Sequence, residues 1–305
     1  MIRCRSIPIF CVVAYCAAAC SAFSADVAII SSSDILPYQT CREGIQEQLA
    51  DLSIVTVTLG EDIGKAQEVL GEVKRHHPKV LIAIGPQAAF MVAQEQAPSS
   101  TKLFCMVLNP QRVLAKAGLF PGISLNIPPA LQITTIKQSF PARRRIGVFY
   151  TKMINQETID ALSREATVHG CTLVGMPIAS AQDIPGMLTA REPAFDVLLI
   201  IPDEALGSTK IVEYVIKEAL RRSIPVVGYN SWFAKNGAVL SFVIDYKAIG
   251  KQTAACARRL LSGAALDGMI MPPERVQIVI DLKTAEKIGV AVSPDMLNRA
   301  DEVQR

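Results

Sequence analysis

The chain has 305 residues, half of them hydrophobic, and a formal net charge of +3. At about 100–200 residues per domain, that length fits two domains, and the apolar content excludes a disordered chain. Lys and Arg are spread along the sequence, which argues against a nucleic-acid partner with its concentrated basic surface. The one dense run, Arg143-Arg144-Arg145, precedes an apolar stretch and reads as the solvated end of a strand.

At the N-terminus, Arg3 and Arg5 precede an apolar run from Ile7 to Ala19, followed by small residues up to Asp26. This is the order of a secretory signal peptide. The run is shorter than the roughly 20 residues that span a bilayer. Residues 1–25 are therefore expected to be a signal peptide, and the mature chain to be periplasmic or otherwise exported, with no membrane span. Ala17-Ala18-Ala19-Cys20 also resembles a lipoprotein signal, so lipidation at Cys20 is the alternative, although the usual Leu before such a cysteine is missing. Of the eight cysteines, only Cys41, Cys105, Cys171 and Cys256 lie beyond this segment. Their spacing suits neither a metal site nor a redox pair, and it leaves open whether any disulfide forms among them.

From Val27 the chain alternates short apolar runs with segments of helical period. The first run, Val27–Ile30, is followed by a helical face of Cys41, Ile45, Leu49 and Leu52. Next come Ile54–Val57, a face with Ile63, Ala66, Leu70 and Val73, and the run Val80–Ile84. Spacings of three and four place side chains on one helical face, and the apolar runs suit strands covered on both sides. The pattern restarts after Pro141. Strands are predicted at Ile146–Tyr150, Cys171–Val174, Asp196–Ile201 and Ile224–Tyr229, with helical stripes at Ile159, Leu162 and Ala166 and at Val212, Val215, Ile216 and Ala219. The fold class is therefore α/β, with two doubly wound parallel-sheet lobes. Ligands of such sheets sit beyond the carboxyl ends of the strands, and two facing lobes make a cleft.

Over essentially the whole mature chain, and most strongly in its second half, the sequence resembles a family. Pro141–Tyr150, Asp245–Gln252, Ile280–Gly289 and the ending Ser293–Glu302 are similar, in order and spacing, to bacterial ABC-transporter substrate-binding proteins related to the tryptophan and tyrosine binders. The resemblance implies the type I periplasmic-binding fold, in which the chain makes three hinge crossings. These are expected near Ser124, near Val243 and shortly after Ser262. Lobe one would hold 26–124 plus 243–262, and lobe two 125–242 plus 263–305. The implied function is capture of a small molecule, with aromatic or other amino acids as the leading class, for uptake through an ABC permease. A periplasmic sensor or scaffold of the same fold, with no transporter, is the alternative. The expected form is a monomer without a cofactor.

The strand ends supply the candidate ligand-binding residues. Ser32 and Ser33 follow the first strand and offer hydroxyls beside a helix N-terminus, where a carboxylate is favoured; Ser33 or Asp34 as a mere helix cap is the alternative. The third strand ends at Gly85-Pro86-Gln87. Relatives carry a Thr or Ser where Pro86 stands, and proline has neither hydroxyl nor N–H to offer, which leaves Gln87 as the candidate. Asn109 stands where relatives often carry Asp, and it suits a neutral polar group better than an ammonium. The second half contributes Tyr150, Thr151, Asp203, Tyr229, Asn230 and Trp232. Asp203 is alternatively a helix cap, and the aromatic faces would stack on a flat or apolar ligand. Asp245 reads as a helix cap.

No catalytic residue and no metal site is expected. His76, His77 and His169 stand at helix ends, and no zinc-protease helix, nucleophile elbow, phosphate loop or dinucleotide glycine pattern occurs.

Overall fold

The structure is a computed structural model that describes residues 24–60, 66–95, 100–189, 194–266 and 268–305. Most of the expected signal segment, with Cys20, and Ile63 of the second helical face lie outside the described residues.

The first part of the chain runs β1 (Val27–Ser31), α1 (Leu36–Gln48), β2 (Ile54–Thr58), α2 (Ala66–Arg75), β3 (Val80–Ile84), α3 (Pro86–Ala93), β4 (Thr101–Val107), α4 (Pro110–Val113) and β5 (Gly122–Ser124). The second runs α5 (Pro129–Ser139), β6 (Arg145–Tyr150), α6 (Lys152–Val168), β7 (Thr172–Pro177), α7 (Ile184–Leu188), β8 (Val197–Leu199), α8 (Thr209–Arg221), β9 (Val226–Gly228), α9 (Ser231–Lys235) and β10 (Leu240–Ile244). The chain closes with α10 (Tyr246–Leu261), β11 (Ile270–Met271), β12 (Val276–Asp281), α11 (Leu282–Lys287), α12 (Pro294–Arg299) and β13 (Glu302–Gln304).

The strands form two sheets, ordered β11-β5-β4-β3-β1-β2 and β13-β12-β10-β9-β8-β6-β7. Every pairing is parallel except that of β10 with β12. Within each lobe the first five strands follow one doubly wound order, with the switch between β1 and β3 in one lobe and between β6 and β8 in the other. The chain passes between the sheets after Ser124, after Ile244, and between Met271 and Val276. The last of these corrects the expected boundary at residue 262. Ile270 and Met271 pair with Gly122 and Ile123 on β5, so the chain covers the open edge of the first sheet before it leaves that lobe.

Alternation along the strands builds the core. Val27 and Ile29 face one hydrophobic cluster while Ala28 and Ile30 face another; Val80, Ile82 and Ile84 alternate with Leu81 and Ala83 in the same way. In the second lobe Ile146, Val148 and Tyr150 lie on one side and Phe149 on the other. Each sheet thus carries apolar layers on both faces, as side chains of period two require. The basic run Arg143–Arg145 does more than meet solvent. Arg143 donates to the carbonyls of Asp196 and Ser223 at 2.7 and 3.0 Å, and the backbone N–H groups of Arg144 and Arg145 donate to the Asp196 carboxylate.

Helix α10 returns to the first lobe and lies backbone to backbone against α1. A Cβ on Gly250 would stand 2.1 Å from the Cys41 carbonyl oxygen, and one on Gly44 would stand 2.4 Å from that of Lys247. Beneath this contact, Cys41 and Cys105 are buried free thiols with sulfurs 3.7 Å apart. The hydrogen bond with Cys105, followed by burial, holds the Cys41 thiol well above its usual range. Cys171 and Cys256 are also buried free thiols.

Two alanine substitutions test this packing. Gly250→Ala should destabilise the protein by about 1–3 kcal/mol, because neither backbone can retreat. Gly71→Ala in α2, where an added Cβ meets nothing within 4 Å, should stabilise it by about 0.5–1 kcal/mol. Urea unfolding midpoints of the two variants should move in opposite directions.

Candidate functional site

The strand ends of both lobes and two of the crossing segments enclose a cavity of about 480 Å³. From the first lobe, Leu108, Asn109 and Arg112 reach it at the end of β4 and on α4. The chain arrives there through a bulge, with the β4–β5 register shifting between Cys105 and Val107 and Met106 at φ +60°. Asn109 is left-handed at φ +48°, a conformation that Asn tolerates better than most residues. Its N–H donates to Oδ1 of Asn126 at 2.9 Å. Leu125, Asn126 and Ile127, on the first crossing, line the cavity together with Ile244 and Tyr246 from the second.

In the second lobe the organising group is Asp203. Its carboxylate accepts from the Thr151 N–H at 2.6 Å, the Thr151 hydroxyl at 2.7 Å, Nδ2 of Asn155 at 2.8 Å and the Ala205 N–H at 3.0 Å. Burial pushes the carboxyl up, but the bonds from Thr151, Asn155 and Ala205 outweigh it and hold the group below the usual carboxylate range. Asp203 is thereby fully engaged in joining the ends of β6 and β8 to the first turn of α6. Asn155 and Thr158 of α6, Gln132 of α5, Ile200 to Pro202, Tyr229 and Asn230 then form the second lobe's share of the wall. Burial alone raises the phenols of Tyr229 and Tyr246, so both are neutral hydroxyls.

Three of the candidate residues, Asn109, Tyr229 and Asn230, come together at this cavity. Asn230 also caps α9, its Oδ1 accepting from the N–H groups of Trp232 and Phe233 at 2.9 and 3.3 Å. The other candidates stand elsewhere. Ser32 is buried, donates to the Ile84 carbonyl and accepts from the Ala88 N–H, both at 3.0 Å. Ser33 is half-buried and Gln87 exposed, and both lie off the cavity wall. Neither Ser33 nor Asp34 caps α1, whose N-cap is Ile35; Asp34 pairs with Arg42 at 3.3 Å instead. Tyr150 belongs to the core, with its hydroxyl on Gln156 at 3.2 Å. Thr151 is spent on Asp203. Trp232 packs edge-on against Phe233 at 5.2 Å and lines a separate groove with Leu36, Pro37 and Thr40 of the first lobe. Asp245 caps α10 through the Ala248 N–H at 3.0 Å.

Sequence reasoning passed over Asn126, Gln132, Asn155, Thr158 and Tyr246. Asn126 and Tyr246 stand within three residues of the expected crossings, and Gln132 interrupts the apolar face of α5, so a signal existed for each of these. At the rim, Arg112 of the first lobe meets Glu204 of the second at 3.2 Å. Both side chains are exposed, and such a pair contributes at most about 1 kcal/mol.

Two lobes of equal winding with a cavity at their crossings are the architecture of the type I periplasmic-binding proteins. The chain belongs to the ABC transporter substrate binding protein family, whose model matches residues 26–304. Among solved structures it is similar to a conserved domain protein from Vibrio cholerae, at 22% identity and TM-score 0.63, covering 92% of this chain and 100% of that one. An ABC domain from Streptococcus pneumoniae in complex with L-Trp is 18% identical at TM-score 0.63, covering 92% and 99% of the two chains. The ligand-free, open form of a substrate binding protein with adhesive properties from Clostridium difficile is 18% identical at TM-score 0.75, with coverage of 92% and 99%. No curated protein matches.

Replacing Asp203 by Asn should cost about 2–3 kcal/mol at neutral pH, since donors would face a weaker acceptor and an NH₂ group. The Asp203 carboxyl titrates lower in the folded than in the unfolded protein, so its stabilisation is present above the unfolded value near pH 3.9 and is lost as pH falls through the folded value. The stability difference between the wild type and Asp203→Asn should therefore hold above about pH 4 and shrink progressively as pH falls below it.

Proposed function

We propose that this protein is exported, captures a small molecule between its lobes and delivers it to an ABC permease, acting as a binder without catalytic chemistry. The observation that carries this reading is the cavity itself, lined from both lobes and by two crossing segments, with polar side chains already held in place. A ligand there would touch both lobes at once, which is what hinge closure requires. Export rests on the signal-like residues 1–25, with lipidation at Cys20 as its anchored variant. Family membership supports the permease as partner. Three histidines at helix ends, none on the cavity wall, supply no evident base. In this reading the protein acts as a monomer that meets its permease from outside the bilayer; among the described residues, no helix is long and apolar enough to cross a membrane.

Small-angle scattering on the purified protein, with and without the molecule that co-purifies with it, tests capture. The radius of gyration should fall on binding, and a ligand at 100 times its Kd should add about 2.7 kcal/mol to stability. Tyr229→Ala should weaken that binding about tenfold or more by removing an aromatic wall. An unchanged radius and an unchanged melting temperature at saturating ligand would sink the reading.

A further inference from the structure

At the two switch points, the chain's own oxygens take backbone N–H groups that a ligand carboxylate would otherwise meet. At the switch point of the first lobe, α3 begins with Pro86, which has no N–H. The Ala88 N–H behind it is taken by the Ser32 hydroxyl. The Tyr38 ring and Ser32 press against Gly85, within 2.7 Å of where a Cβ would stand, at a backbone φ of +90°. At the switch point of the second lobe, the Asp203 carboxylate takes the N–H and the hydroxyl of Thr151, the residue that precedes α6. Asn230 fills the start of α9.

What the cavity does offer is a set of carboxamides, each with one end fixed. Asn126 spends Oδ1 on the Asn109 N–H, and Asn230 spends Oδ1 on the Trp232 N–H, so each has its NH₂ group left. Gln132 spends Nε2 on the Ile127 carbonyl, and Asn155 spends Nδ2 on Pro202 and Asp203, so each has its oxygen left. Gln132 and Asn155 are only 7% and 2% exposed. Their free oxygens are nevertheless not among the described buried polar atoms that lack a partner, which are the hydroxyls of Ser31, Ser139 and Ser241. Both residues line the cavity. These four amides line the cavity beside aliphatic side chains such as Ile127, Ile154, Ile201 and Ile244 and the aromatic side chains of Tyr229 and Tyr246. Of the charged residues that line the cavity, Arg112 is paired with Glu204 and Glu157 is exposed.

We propose that the cleft selects an uncharged, flat ligand with a donor–acceptor edge, of the nucleobase or cyclic-amide class. An amino-acid zwitterion would bring a carboxylate to switch points whose Ala88 and Thr151 N–H groups are already taken. A sugar would turn part of its hydroxyl set toward Ile127, Ile154, Ile201 and Ile244, which cannot pair with it. A planar heterocycle pairs its edge with the amides and lays its faces against the isoleucines.

The proposal rests on capture of a small molecule in this cavity, and titration calorimetry of the full chain separates the two. The probes are adenine, hypoxanthine and uracil; L-tryptophan and L-tyrosine; and D-ribose and D-arabinose. At least one base should bind saturably, with the amino acids and sugars at least about 100-fold weaker. Asn126→Asp and Asn230→Asp keep the oxygen that holds the fold, since Asp caps as well as Asn, and replace the donor with a charged acceptor. Each should lose about tenfold or more in affinity for the base. Glu286→Gln, at an exposed position of α11 off the cavity wall, should change it by less than about threefold. An amino acid or sugar binding more tightly than every base would overturn the uncharged-heterocycle assignment and leave capture standing. Tighter binding of an amino acid to the Asp variants would do the same, by revealing an ammonium at those positions. No saturable binding from any class, with no contraction in scattering, would overturn both.

Discussion

Four hydrogen bonds converge on one carboxylate, and the second lobe's half of the cleft depends on them. Asp203 follows β8 but binds the residue that ends β6 and a side chain in the first turn of α6. In a doubly wound sheet these points lie on either side of the topological switch, where adjacent connections diverge and leave a crevice. A buried carboxylate there is tolerable because N–H and O–H donors replace the water it gave up. The consequence reaches Asn155, which is held by Asp203 and Pro202 and so has its oxygen turned to another use. The first lobe treats its own switch differently. Ser32 and the Tyr38 ring close it, and that lobe reaches the cavity through the end of β4 instead, by way of the left-handed Asn109.

Much of the fold was legible because burial on both faces of a parallel sheet leaves continuous apolar runs. Val80–Ile84 and Ile146–Tyr150 appear in the structure as buried strands, and Asp245 marks the start of the helix Tyr246–Leu261. Short elements left no such trace. Ile270–Met271 is a strand of two residues, too brief to show a period. Only its pairing with β5, about 150 positions earlier in the chain, reveals that the first lobe extends past Ser262.

The site was legible where it coincides with strand ends and illegible where it depends on partners. Asn109, Tyr229 and Asn230 follow predicted strands and stand at the cavity. Ser32 and Thr151 also follow predicted strands, yet their hydroxyls are consumed by contacts with residues more than 50 positions away. Sequence shows that a hydroxyl or an amide is present, whereas its availability is set by long-range bonds. The same reasoning explains the amides that were missed. Asn126, Gln132 and Asn155 matter because one end of each is spoken for, and that is a property of the folded chain.

If the lobes close on a ligand as proposed, the ion pair that bridges the cleft sets part of the energetics. The contact between Arg112 and Glu204 is exposed on both sides and is worth at most about 1 kcal/mol. A latch of that size biases a hinge without locking it, so the differential affinity of a ligand for the closed arrangement must do most of the work. The aliphatic walls supply such a difference, since apolar surface from both lobes leaves water only when something fills the space between them. The fixed amides add selectivity at small entropic cost, because their orientation was settled when the chain folded. Affinity would then come chiefly from the isoleucines and discrimination from the asparagines and the glutamine, two functions carried by different residues of one cavity.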